Sequence, residues 1–166
     1  MQNIEIKAHY NNIQEGKKIA KNIGAKFEGE DTQIDTYFIT SRGRFKLRES
    51  SLSGAYLVPY LRNDNEGPKS SKYAIIPVED INTTKELFIN ILGVDRIVET
   101  TRSIYIIENV RIHLDEVKNL GTFFELEAVC SPNSNIRDEE DKVAKLLETF
   151  RVDKKDLIAG SYREMI

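Results

Sequence analysis

"VRIHLDEVKNLGTFFELEAV", residues 110–129, reads as two strands and the turn between them. Side chains alternate between faces along a strand. Val110, Ile112 and Leu114 therefore share one face, and Arg111, His113 and Asp115 share the other. Beyond the turn "KNLGT" (118–122), Phe124, Leu126 and Ala128 alternate with Glu125 and Glu127. A short connection of this kind joins antiparallel neighbours, because parallel strands need a long crossover. The stretch thus points to an antiparallel sheet with one greasy face and one charged face.

Working outward, the same period recurs. In "NIEIKAHY" (3–10), Asn3, Glu5, Lys7 and His9 oppose Ile4, Ile6, Ala8 and Tyr10. In "RFKLRE" (44–49), Arg44, Lys46 and Arg48 oppose Phe45 and Leu47. Charge is sorted by strand: the 44–48 face is basic and the 125–127 face is acidic. Two readings fit. A half-wet sheet packed on helices exposes such faces to water, although solvated faces usually intersperse the signs. A closed or strongly curved sheet instead points them into a lumen, with acids for a hard divalent cation and bases for phosphate.

The remaining segments complete an α+β pattern. Further strands are expected at "TQIDTYFI" (32–39), "AYLVPYLR" (55–62), "KYAIIPVE" (72–79) and "RIVETTRSIYIIE" (96–108), with turns at "SRGR" (41–44) and "NDNEGP" (63–68). Pro59 argues for an edge or a bulge in its strand. One helix is expected after a capping box of Asn12 and Glu15, and one from Thr83 with Glu86 three residues on. A third, "IRDEEDKVAKLLETF" (136–150), carries acids in its first turn, where the macrodipole favours them. A short helix from Asp153 and the tail "SYREMI" follow.

A length of 166 residues predicts a single domain spanning 1–166. The net charge of −3 argues against a nucleic-acid partner, which calls for a basic footprint. Cys130 is the one cysteine, which excludes an internal disulfide and a cysteine-based metal site. Glu5 and Lys7 interrupt any leader-like apolar run, and no stretch approaches a membrane span. The expectation is a cytoplasmic protein with no membrane partner, monomeric or homodimeric.

These residues resemble the CYTH superfamily, the group of class IV adenylyl cyclases, thiamine-triphosphatases and inorganic triphosphatases. The likeness runs along nearly the whole chain. "NIEIK" is similar to the family's opening Glu-x-Glu-x-Lys. "DTYF" followed by "GRFKLRE" resembles its second landmark, and "YLRNDNEGPKSSKY" its third. "TRSIYIIENVRIHLDEVKNLGTFFELE" carries the most specific part: Arg-x-x-Tyr, Arg-x-x-x-Asp and Leu-Gly-x-Phe-x-Glu-x-Glu. "GSYREMI" resembles the usual ending. The pattern is nearest the class IV adenylyl cyclase-like branch.

The resemblance implies a closed, mainly antiparallel eight-stranded β-barrel with flanking helices, known as a triphosphate tunnel. It implies Mg²⁺ or Mn²⁺ on Glu5, Asp115, Glu125 and Glu127, and phosphate contacts from Lys7, Lys46, Arg48, Arg62, Arg102 and Arg111. The strand period agrees for Glu5 with Lys7, Lys46 with Arg48, Arg111 with Asp115 and Glu125 with Glu127; it is silent on Arg62 and Arg102. One departure is Asn3 in place of the family's first Glu, a carbonyl ligand without charge, expected to weaken one metal position or alter substrate choice. His9 and His113 share the charged parity but are as compatible with structural roles as with a general base, which stays unassigned. The expected function is metal-dependent conversion of a small-molecule triphosphate: ATP to cyclic AMP and pyrophosphate, or alternatively hydrolysis of inorganic, thiamine or nucleoside triphosphate. A non-catalytic phosphate- or nucleotide-binding module is a further alternative.

Overall fold

Alternation of apolar and charged residues gives each strand two faces, and the chain buries both. The computed structural model describes residues 2–62 and 69–166. Among them the chain order is β1 (Gln2–His9), α1 (Ile13–Asn22), β2 (Lys26–Phe38), β3 (Arg44–Ser50), β4 (Gly54–Arg62), β5 (Lys69–Tyr73), β6 (Ile76–Val78), α2 (Ile81–Leu92), β7 (Val94–Ile107), β8 (Val110–Val117), β9 (Gly121–Cys130), α3 (Ile136–Thr149), a 3₁₀ turn (Lys154–Asp156), β10 (Leu157–Ile158) and α4 (Tyr162–Met165). The expected turn at 63–68 lies outside the described residues, as does the Lys69 side chain.

Pairing runs β1-β5-β4-β3-β2-β7-β8-β9, and β9 returns to β1 in antiparallel register from Gln2↔Cys130 to His9↔Phe123. That pairing closes the sheet into the expected eight-stranded antiparallel barrel. β6 and β10 are short additions on β4 and β1.

The outer faces form the hydrophobic cores. Ile4, Ile6, Val110, Ile112, Leu114, Phe124, Leu126 and Ala128 pack beneath α1 and α3, which contribute Ala20 and Val143, with Phe150 just beyond α3. On the other side Phe38, Leu47, Ala55 and Leu57 pack beneath Phe88, Ile89 and Leu92 of α2. α1 starts as expected, with the Asn12 side chain accepting from Glu15 N at 3.0 Å.

Four elements differ from the sequence reading. β2 begins at Lys26, not Thr32, because it pairs with β7 through a bulge between Phe27 and Gly29. The expected strand 72–79 is two strands, β5 and β6, each paired with a different part of β4. Pro59 sits where they part: β6 takes residues 55–57, β5 takes 60–62, and a residue lacking an N–H fills the gap. α2 starts two residues before Thr83, capped by Asp80, whose carboxylate accepts from Thr83 N at 3.1 Å. No described helix is long and apolar enough to cross a membrane.

Gly16 sets how closely α1 approaches the barrel. A Cβ there would lie 2.8 Å from Tyr10 Cε2 and 2.9 Å from Leu114 Cδ2, and Leu114 is buried. Gly16→Ala would favour an isolated helix by about 1 kcal/mol, yet it is expected to lower stability by about 1–2 kcal/mol through overpacking. Urea unfolding measures the sign; a stabilised variant would contradict the packing described.

Candidate active site

Inside the barrel the inward-facing side chains enclose a cavity of about 590 Å³. Its walls carry Glu5 and Lys7 from β1, Lys46 and Arg48 from β3, Arg62 from β4, Arg102 from β7, Arg111 and His113 from β8, and Glu125 and Glu127 from β9. The proposed phosphate and metal residues therefore converge, apart from Asp115, which is fully buried behind this lining. The C-terminal segment covers one end. There Tyr162 packs on Phe123 and gives its hydroxyl to Asp115 at 2.7 Å. Arg163 binds Asp95 of β7 at 2.5 Å, and Glu164 binds Arg44 of β3 at 2.6 Å.

The cations fall into two groups. Lys46 and Arg48 share one carboxylate, Asp35, at 2.8 Å from Lys46 Nζ and 2.6 Å from both Arg48 Nε and Nη2. Burial would raise the Asp35 carboxyl, but Arg48 and Lys46 outweigh it and hold it well below the usual carboxylate range. Arg102 is fixed just as firmly. Its Nε and Nη2 each donate to Asp115 at 2.7 Å, and Nη2 reaches Glu125 at 3.0 Å. Asp115 thus has both oxygens engaged by Arg102 and Tyr162.

Arg62 differs. Its Nη1 lies 3.5 Å from Glu5, while its buried Nε and Nη2 have no hydrogen-bond partner among the described residues. Lys7 stands 3.7 Å over the Tyr162 ring and 3.8 Å from Glu125; burial pushes its ammonium down and Glu125 opposes this. Arg111 is exposed at the barrel mouth and pairs in register with Glu127.

The carboxylates divide likewise. Burial disfavours ionised Glu125, but Lys7 and Arg102 reverse this and hold it well below the usual range. Glu5 and Glu127 face each other across β1 and β9. Burial, then repulsion from Glu125, raises Glu5. Burial, then Glu5 and Glu125, pushes Glu127 up to about 7. Asn3 is fully buried beside them, its amide donating to Glu127 and its oxygen accepting from the Tyr73 hydroxyl at 3.4 Å. Ligand atoms of His113, Glu125 and Glu127 lie within 4.8 Å of one another. Burial lowers the His113 imidazole pKa, aided by Arg102 and opposed by Glu125.

The strand period places His9 with this set, but it is the last residue of β1, paired with Phe123 at the end of the closing seam: its side chain is exposed and its ring lies tilted against Phe123 at 5.2 Å. Lys72 is exposed on the outward parity. Sequence reasoning missed Asp35, Gln33 and Tyr162. Gln33, Asp35 and Tyr37 alternate within "TQIDTYFI", so the period applied to that strand exposes the first two. Tyr162 lies beyond the main strands and carries no such signal.

A pKa raised in the folded state means the folded protein keeps a proton that the unfolded chain has lost. Glu127 therefore costs nothing below about pH 4.5, and its cost grows to on the order of 3 kcal/mol above pH 7. The melting temperature of the metal-free protein, relative to Glu127→Gln, should fall as pH rises from 5 to 8. Mn²⁺ should restore the wild type more at pH 8 than at pH 6, because cation and proton compete for one carboxylate. A wild-type–variant difference that stays constant across this range would contradict the assignment.

The sequence profile of the CYTH domain matches residues 1–162. The chain is 25% identical to a candidate adenylate cyclase of Methanocaldococcus jannaschii, over 98% of this chain and 97% of the relative. Among solved structures, the PH1012 protein of Pyrococcus horikoshii superposes with a TM-score of 0.88 at 25% identity, covering 99% of each chain. A Hippeastrum protein, a candidate adenylyl cyclase reported to have a dominant triphosphatase activity, superposes at 0.60 with 16% identity, over 96% of this chain and 91% of its own. With a closed barrel, a charged interior and a profile match along almost its full length, the chain belongs to the CYTH family.

Proposed function

We propose that the tunnel binds a triphosphate together with one or more divalent cations, Mg²⁺ or Mn²⁺, and converts ATP to cyclic AMP and pyrophosphate. The observation that carries this reading is the pairing of unmet charges in one cavity. Among the described residues, Arg62 has two buried nitrogens without partners, and burial together with the facing Glu5 pushes Glu127 up to about 7. A buried charged donor left unpaired is costly, and phosphate oxygens would satisfy it bidentately. Two half-buried, facing carboxylates suit a hard cation with oxygen ligands.

Glu5, Glu127 and Glu125 would hold the cation. Asp115, with both oxygens engaged, serves instead to position Arg102. A bound cation would neutralise phosphate charge as it shifts in the reaction. The protein's own part is placement. Asp35 holds Lys46 and Arg48 in a fixed fork, and Asp115 holds Arg102. Lys7, Lys46, Arg48, Arg62, Arg102 and Arg111 would grip the phosphates, with little reorganisation needed during reaction. In the cyclase reaction the 3′-oxygen bonds to the α-phosphorus as the α–β anhydride bond breaks. Pyrophosphate leaves with the bonding electrons, and the hydroxyl proton passes to water.

The second reading is hydrolysis, in which water attacks a terminal phosphoryl group in the same tunnel. The activity reported for the Hippeastrum protein favours it. Incubation with ATP, inorganic triphosphate and thiamine triphosphate, with Mg²⁺ or Mn²⁺, separates the two. Cyclic AMP and pyrophosphate in equal amounts are expected from ATP. Orthophosphate without cyclic product would establish hydrolysis, and the absence of any metal-dependent turnover would refute both.

Arg62→Ala supplies an independent check. It is expected to lower kcat/KM about 100-fold while affecting stability far less, since its one ion pair among the described residues is the long contact to Glu5 at 3.5 Å. A large stability loss with unchanged kinetics would assign Arg62 to structure.

A further inference from the structure

We propose that His113 is a nitrogen ligand to the cation held by Glu125 and Glu127, and that this nitrogen makes the tunnel selective for a first-row transition ion such as Mn²⁺ over Mg²⁺. The inference rests on the reading of the tunnel as a metal-dependent triphosphate site and specifies which cation it takes. The ligand set that the family resemblance implies is all oxygen, and His113 lies outside it.

Strand pairing brings the imidazole to the carboxylates. His113 of β8 stands directly opposite Glu125 of β9, and Arg111 stands opposite Glu127. Glu127 is therefore the diagonal neighbour of His113 on the same inward face, within reach of a long side chain. One ligand atom from each of His113, Glu125 and Glu127 lies within 4.8 Å of the other two. Ligand atoms about 2.1 Å from one ion stand roughly 3 Å apart at right angles and roughly 4 Å apart when opposed. Small side-chain rotations close this group around an ion.

The hydrogen bonds leave the ligand atoms open. The contacts of Glu125 with Lys7, Arg102 and His113 all fall on Oε2, so Oε1 carries none among the described residues. Glu127 receives the Asn3 amide on Oε1, and its Oε2 is open in the same way. His113 is 4% exposed and lines the cavity. Its Nδ1 lies 3.5 Å from Glu125 Oε2 without the alignment of a hydrogen bond, and has no partner among the described residues. A buried nitrogen left unmet is costly, and a cation on the two carboxylates meets it. Asn3, by contrast, is engaged at both ends, by Glu127 and by the Tyr73 hydroxyl. The residue standing where the family has its first Glu is thus taken up in hydrogen bonds, and His113 supplies a ligand in its stead.

The nitrogen changes the choice of ion. Mg²⁺ is a hard cation that takes oxygen ligands. Imidazole suits transition ions, and affinity for a mixed nitrogen–oxygen site rises from Mn²⁺ to Co²⁺.

Pulsed electron paramagnetic resonance of Mn²⁺ bound to the metal-free protein reads the bond directly. The hyperfine coupling of a directly bound nitrogen is expected. It should change on ¹⁵N-histidine labelling, persist in His9→Gln and vanish in His113→Gln; His9 and His113 are the two histidines of the chain. In calorimetry His113→Gln should weaken Mn²⁺ and Co²⁺ at least about tenfold and leave Mg²⁺ within about twofold, since glutamine offers an oxygen in place of the nitrogen. Mn²⁺ bound without nitrogen coupling, yet lost in Glu127→Gln, would overturn the His113 ligand and leave the carboxylate cation site standing. Coupling that survives Glu127→Gln would place the ion outside this group and overturn the proposal. No bound manganese at all would remove the metal reading and the His113 ligand together. Labelling and His9→Gln leave His113 in place, so they decide the matter even where His113→Gln fails to fold.

Discussion

Closure of the barrel between β1 and β9 is the constraint on which the rest depends. The pairing joins the first strand to one more than a hundred residues later, with Glu5 opposite Glu127 and Lys7 opposite Glu125. Without it, the charged faces would belong to an open sheet, and water would meet their hydration needs. With it, the same side chains face one another in a confined space, and each charge must find a partner or remain costly. The helices answer the opposite need: α1, α2 and α3 cover the outer apolar faces that closure turns outward.

The interior meets some of these charges fully and leaves others partly unmet. Asp35 serves Lys46 and Arg48, and Asp115 serves Arg102, in short hydrogen bonds that fix the cations before any ligand arrives. Arg62 and the Glu5–Glu127 pair are held by the same walls without equivalent partners among the described residues. Such a division is what a preorganised site requires: rigid donors, and a deficit that a ligand with the right charges removes. Asn3 belongs to this balance. A carboxylate in its place would add a further negative charge beside Glu127, whereas the amide donates a hydrogen bond to it.

Much of this was legible in the sequence because a strand's period is local. The faces of residues 3–7, 44–48, 110–115 and 125–127 follow from alternation alone. Closure does not, since a half-wet sheet and a tunnel wall have the same period; the sorting of charge by strand leaned toward a lumen, and the family resemblance implied the closed tunnel. Asp35 is the one charge in "TQIDTYFI", so no sorted charged face marks it. The family resemblance implied Asp115 as a metal ligand, and the strand period agreed with its face; the parity holds, but Tyr162 arrives from the C-terminal segment and takes up one of its oxygens. Arg62 and Arg102 lie on strands with weaker alternation, where only the pairing reveals their face. The early start of β2 depends on β7, and the division between β5 and β6 depends on β4. No local pattern reports such long-range partners.

The most direct test of the central claim is a crystal structure with Mn²⁺ and a methylene-bridged triphosphate, read by the anomalous signal of manganese. The account predicts a manganese peak between Glu5 and Glu127, with phosphate oxygens on Arg62 and on the Lys46–Arg48 fork. Manganese and phosphate bound outside the barrel, with the tunnel holding only water, would contradict it.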